Sequence, residues 1–258
     1  MKKYSVYLAF LLSVFLFSPF ASLGDSSSFR ETLTQVSTLD ALLNGAYDGT
    51  VTYREIEKKG NFGLGTFQAL NGELVALDGK FYQVRANGKV YPVSPEEKTP
   101  FVSVTFFEPD LKFAMAGVNY DEFEKKLNAK IPNPNLFYAI KVEGVFAYLK
   151  TRSVPKQSKP YPPLIEVIKH QPTFEFKNIR GTMVGFWCPQ FIKGINVPGY
   201  HLHFISQDRK SGGHVLKFTL KKGVVSLDIT PNLFLMLPKK PVTLQEKNGE
   251  NEIEEIER

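Results

Sequence analysis

Four short apolar runs follow one another in the first half of this 258-residue chain: Gly49 to Tyr53, Gly65 to Ala69, Glu73 to Leu77 and Lys80 to Arg85. The last three are separated by Asn71-Gly72 and Asp78-Gly79. Such dipeptides supply the left-handed backbone that a type I′ hairpin turn requires. The block is predicted to be an antiparallel β-meander.

The rest of the chain repeats that signature with few interruptions. A short helix is predicted over Val36 to Gly45, capped by Ser37 or Thr38 and ended by Gly45. A second is predicted over Asp121 to Leu127, stopped by Ile131-Pro132-Asn133-Pro134. Val102 to Phe107 and Leu136 to Thr151 read as strands, with Gly144 marking a turn. Val154 to Pro163 is too rich in proline for a central strand and reads as a linker. Ile165 to Lys169 fits helix or strand. Beyond it, Thr173 to Phe176, Gly181 to Trp187, Gly199 to Ile205, His214 to Lys221, Gly223 to Ile229 and Asn232 to Leu237 continue the β pattern. Twenty-two Phe and eleven Tyr against one Trp suit a pleated, half-buried core. The fold class expected is α+β (mixed α/β), with two β-rich domains of extended mixed and antiparallel sheets and few short helices. The linker places an N-terminal β-rich domain at 25–160 and a C-terminal β-rich metal-binding domain with an acidic tail at 161–258.

Residues 1–24 read as a secretory signal. Lys2 and Lys3 precede an apolar run from Tyr4 to Phe17, Pro19 breaks it, and Ser22-Leu23-Gly24 offers small residues before a cut at Asp25. The expected product is exported, to the periplasm or the medium, with no membrane attachment after cleavage. Two charges of the formal +6 lie in this leader, and no dense Lys/Arg block occurs, so nucleic-acid binding has little support. Cys188 is the single cysteine, which excludes an internal disulfide. Its apolar neighbours Phe186 and Trp187 point to a buried, inert thiol.

Three of the four histidines fall within fourteen residues. His201 and His203 flank Leu202 on one strand, so their side chains project from the same face. Asp208 to Gly213 is a polar turn, and His214 opens the returning strand beside the pair. Three neutral imidazoles aimed at one point suit zinc, with a coordination position left for water or substrate. Glu73, at a strand start after Asn71-Gly72, and Arg152, beside the proline-rich linker, are candidate partners for it, although on the residues alone Glu73 fits an exposed acid at a turn better and Arg152 is unremarkable. The tail Glu250 to Arg258 offers further carboxylates.

Pro198-Gly199-Tyr200-His201-Leu202-His203-Phe204-Ile205-Ser206-Gln207-Asp208-Arg209-Lys210-Ser211-Gly212-Gly213-His214-Val215 closely resembles the zinc-site signature of α-acetolactate decarboxylases. Gly63 to Phe67 leading to Leu70-Asn71-Gly72-Glu73-Leu74 agrees with that family, as does Arg152 to Gln157 leading to Pro160-Tyr161. The resemblance implies zinc on His201, His203 and His214, an active-site carboxylate at Glu73 and substrate binding by Arg152. It also implies a glutamate near the C-terminus, for which Glu257 is the best match. Two mixed α/β domains, a homodimer and decarboxylation of 2-acetolactate to acetoin and CO2 are further implications.

Two other functions fit parts of this pattern. A zinc hydrolase is the competing enzyme, but the chain has no HExxH helix. An exported metal-dependent binding module or an inactive relative is the competing non-enzyme, and a pure binding site needs no acid poised at the metal. A Gly-x-Ser-x-Gly elbow is absent, and Gly63-Leu64-Gly65 lacks the rest of a phosphate loop.

Overall fold

The computed structural model describes residues 30–239. The predicted leader, residues 1–24, and the acidic tail with Glu257 lie outside the described residues.

Two sheets stacked on each other carry the fold. The first contains β1 (Thr32–Val36), β3 (Phe62–Thr66), β4 (Glu73–Leu77), β5 (Lys80–Val84), β6 (Val90–Pro92), β8 (Val102–Thr105) and β14 (Asn232–Met236), in the order β14-β1-β8-β3-β4-β5-β6. β1 and β14 run parallel and the other pairs antiparallel, so the sheet is mixed. A two-stranded ribbon, β2 (Val51–Thr52) with β7 (Lys98–Thr99), stands beside it. The second sheet contains β9 (Leu111–Asn119), β10 (Phe137–Arg152), β11 (Thr173–Cys188), β12 (Gly199–Ser206) and β13 (Gly212–Thr230). β10 pairs with both β11 and β13, while β12 bridges β11 to β13. Those four strands therefore close on themselves.

The side-chain alternation of each strand shows how the layers meet. Val75 and Leu77 of β4 pack with Phe62, Leu64 and Val84 against Ala139, Val184, Phe186 and Ile205 of the second sheet. Leu74 and Ala76 point the other way, into a cluster under Tyr53 and Ile56 of helix α2 (Tyr53–Ile56). On β12, Leu202 and Phe204 enter the interior of the closed strands with Phe146 and Phe218. Helix α3 (Tyr120–Asn128) covers that interior with Phe123 and Leu127, and its start is fixed by a capping box of Asn119 and Glu122. Two five-residue helices, α1 (Leu39–Leu43) and α4 (Leu164–Ile168), form a third cluster with Leu70, Phe101 and Val154.

Several elements differ from the sequence expectation, each for a local reason. Asp78 and Gly79 both have positive φ (52° and 74°), and they join β4 to β5 as a tight hairpin. Asn71 has φ −81°, so Asn71-Gly72 is no type I′ turn. β3 ends early at Thr66, and the chain reaches β4 through a loop in which Ala69 and Leu70 adopt left-handed backbone. The strand expected from Gly49 shortens to β2 because Thr52 caps α2. Gly144 marks no turn. It lies within a continuous β10, opposite Gly181 and Gly223, where a Cβ would meet the Lys222 carbonyl oxygen at 2.6 Å. Likewise the runs either side of Gly181 and Gly223 are each one long strand. β1, β6, β7 and β9 are strands that the sequence did not predict.

The sheets do not divide at residue 160. β9 and β10 precede the linker yet belong to the second sheet, and β14 returns to the first.

Candidate metal centre and active site

The hairpin of β12 and β13 brings the histidines together. His203 stands opposite His214, and His214 stands opposite Arg152 of β10, so three strands place the three side chains in one row. His201 lies two residues before His203, on the same face. The pairing of β10 with β13 shifts register between Lys150 and Thr151, next to this row. Such bulges re-aim a strand's side chains. Gly213 permits the close approach: its φ is +134°, and a Cβ there would lie 2.4 Å from the Arg152 carbonyl oxygen.

The ring centroids of His201, His203 and His214 are 5.1–5.3 Å apart, and one nitrogen from each falls within 4.8 Å of the others. His203 and His214 are 1% exposed, and His201 keeps partial exposure. His203 Nδ1 lies 2.7 Å from the Leu74 carbonyl oxygen. That oxygen only accepts, so Nδ1 carries the proton and Nε2 keeps its lone pair. Burial, opposed by the Leu74 hydrogen bond and aided by the Arg152 charge, holds the His203 pKa down at about 3. Burial also holds His201 well below its ordinary value, aided by His203 and Arg152. Both imidazoles are neutral at pH 7, the state in which a histidine binds a metal.

Glu73 opens β4 on the face turned toward the second sheet. It is 6% exposed, with Oε2 at 3.6 Å from His203 Nε2 and Oε1 at 4.0 Å from an Arg152 nitrogen. Burial raises its pKa to about 7, opposed by the Arg152 charge and the Val154 backbone N–H. Arg152 is 4% exposed, and its Nη1 donates to Gln171 Oε1 at 2.8 Å.

A cavity of about 50 Å³ is bounded by His201, His203, His214, Glu73 and Arg152 on its polar side. The structure thus brings together every predicted site residue within 30–239. Sequence reasoning missed the apolar side, built by Leu39, Leu42, Leu70, Phe101, Val154 and Leu164. It also missed Gln171. Those residues come from elements remote in sequence, and an apolar side chain in an amphipathic segment carries no mark that separates a cavity wall from ordinary core.

The family model for alpha-acetolactate decarboxylase matches residues 33–247. The chain belongs to the alpha-acetolactate decarboxylase family. It is 47% identical over 234 residues to the alpha-acetolactate decarboxylase of Methanosarcina mazei, covering 90% of this chain and 81% of that protein. Identity to the Bacillus subtilis protein of that name is 47% over 205 residues, with 79% and 80% covered. The X-ray crystal structure of the Bacillus subtilis alpha-acetolactate decarboxylase superposes with a TM-score of 0.85, covering 88% of this chain and 99% of that one at 43% identity. A Staphylococcus aureus protein of unknown function, similar to the decarboxylase, superposes with a TM-score of 0.81 at 31% identity, with 87% and 98% covered. Membership in this family makes the protein a carboxy-lyase.

Proposed function

We propose that this protein converts 2-acetolactate to acetoin and CO2 with the help of a zinc ion held by His201, His203 and His214. The observation that carries the reading is the convergence of three buried or half-buried imidazoles on the cavity that also holds Glu73 and Arg152. The donor set fits the metal: His201 and His203 are neutral at pH 7, and His203 Nε2 is buried with no hydrogen-bond partner. Its other nitrogen is oriented by the Leu74 carbonyl, the kind of support that metal-ligating histidines receive.

When bound, zinc supplies Lewis acidity that favours negative charge on the substrate's ketone and hydroxyl oxygens. The chain's own residues supply the rest. Arg152 matches a carboxylate in two-point geometry, and Gln171 holds one of its nitrogens in place. Its role is to orient the carboxyl group that departs, because its charge pairs with the substrate before CO2 is lost. As the bond from C2 to the carboxyl carbon breaks, its electron pair moves toward the neighbouring ketone, and C2 then needs a proton. Glu73 is suited to deliver it. In the metal-free site burial raises its pKa to about 7, which favours the protonated form that a proton donor requires. Delivery from one wall of the cavity favours one configuration of acetoin.

The test is release of CO2 and acetoin from racemic 2-acetolactate by the purified protein, with the acetoin resolved by chiral chromatography. Equimolar CO2 and one predominant acetoin enantiomer are expected. A fully folded, zinc-loaded protein that releases neither would overturn the reading. The leader residues support an exported location, which fractionation of the native host would check.

A further inference from the structure

Building on that reading, we propose that the apolar wall of the cavity is a gauge for the alkyl group on C2 of the substrate. Leu164 of α4 and Leu39 of α1 set its limit.

The cavity has two chemically distinct sides. Its polar side offers a guanidinium, a carboxyl group and three imidazoles, which together satisfy a carboxylate, a hydroxyl and a ketone oxygen. Of a 2-hydroxy-3-oxo acid, only the alkyl ends then remain to meet the leucines, Phe101 and Val154. Size follows from the volume. About 50 Å³ is room for roughly four water molecules, which leaves little slack around a ligand of nine non-hydrogen atoms.

The wall is also held in place. Thr38 caps α1, and the Leu39 and Asp40 N–H groups donate to the Ile195 and Gly194 carbonyls at 2.8 and 3.0 Å. Leu39, Leu42 and Leu164 pack in one buried cluster with Val167 and Val197. With α1 tied to the backbone in this way and Leu164 packed in the same cluster, the wall yields poorly to an added methylene. In an apolar pocket one methylene is discriminated by about 10- to 200-fold.

The experiment compares kcat/KM for 2-acetolactate and for its homologues with ethyl or propyl in place of the C2 methyl. It uses the zinc-loaded wild type, Leu164→Ala and the milder Leu164→Val, each checked by its melting curve. We expect kcat/KM for the ethyl homologue to rise in absolute terms in Leu164→Ala. The ethyl-to-methyl ratio should increase about tenfold, with a smaller rise of the same sign in Leu164→Val. A parallel fall for all substrates in both folded variants would reduce the wall to mere packing and overturn the proposal. Wild-type protein inactive on 2-acetolactate would instead remove the catalytic reading on which it rests, so the two failures are distinguishable.

Discussion

Burying a carboxyl group beside three imidazoles leaves it with Arg152, at 4.0 Å, as the nearest favourable charge. Desolvation outweighs that attraction, which is why the Glu73 pKa sits near 7. If Glu73 delivers the proton, Glu73→Gln removes the transferable hydrogen and keeps the shape. We expect zinc content unchanged by elemental analysis and kcat reduced about 100-fold or more. Wild-type kcat would remove Glu73 from the reaction. Arg152→Lys keeps the charge and loses the planar fork, so we expect KM to rise about tenfold with a smaller change in kcat. Steady-state kinetics separate the two. Both residues were visible in the sequence only through their neighbourhoods, a turn for Glu73 and a proline-rich stretch for Arg152. Their meeting, across strands β4 and β10 of different sheets, was not visible.

Strand pairing makes demands of its own. Gly213 lies between the polar turn and His214, where a Cβ would collide with the Arg152 carbonyl oxygen. Gly213→Ala therefore forces β13 away from β10 and carries His214 with it. We expect a loss of about 1–3 kcal/mol of stability and weaker zinc retention under dialysis against a chelator. Unchanged retention would show that the hairpin absorbs the methyl elsewhere.

Further along β13, Asp228 is buried and accepts the Glu108 N–H at 3.1 Å. Burial, then the charges of Asp110, Glu108 and Glu31, raises its pKa to about 7 against the one hydrogen bond. The folded state thus holds a proton that the unfolded chain releases above its ordinary value near pH 4. Stability from this group is full below about pH 4 and declines as the pH rises toward about 7. Asp228→Asn keeps an acceptor for Glu108 without the charge. We expect it to raise the melting temperature at pH 8, by a gain on the order of 2 kcal/mol, and to lose that advantage at pH 4. An equal effect at both pH values would contradict the assignment.

Over the whole molecule, local signals read well and long-range pairing did not. Asp78-Gly79, the caps of α1 and the alternation around Leu202 are properties of a few adjacent residues, and the structure keeps them. Nothing local announces that β10 pairs with both β11 and β13, or that β12 closes the ring. The proline-rich linker looked like a domain boundary because a proline-rich segment cannot be a central strand. The chain instead uses it to turn from β10 toward β11 within one sheet, and it contributes Val154 to the cavity on the way. The site exists because the two sheets stack with Glu73 on one inner face and the histidine row on the other.

On the proposed function, decarboxylation depends on a zinc ion held by that row. The most direct measurement is acetoin production by metal-stripped protein as zinc is added back, with bound zinc measured in the same samples. The rate should be near zero without metal and rise in proportion to bound zinc up to one equivalent per chain. His203→Ala should neither bind that equivalent nor recover activity. Full turnover by protein shown to contain no metal would contradict the account.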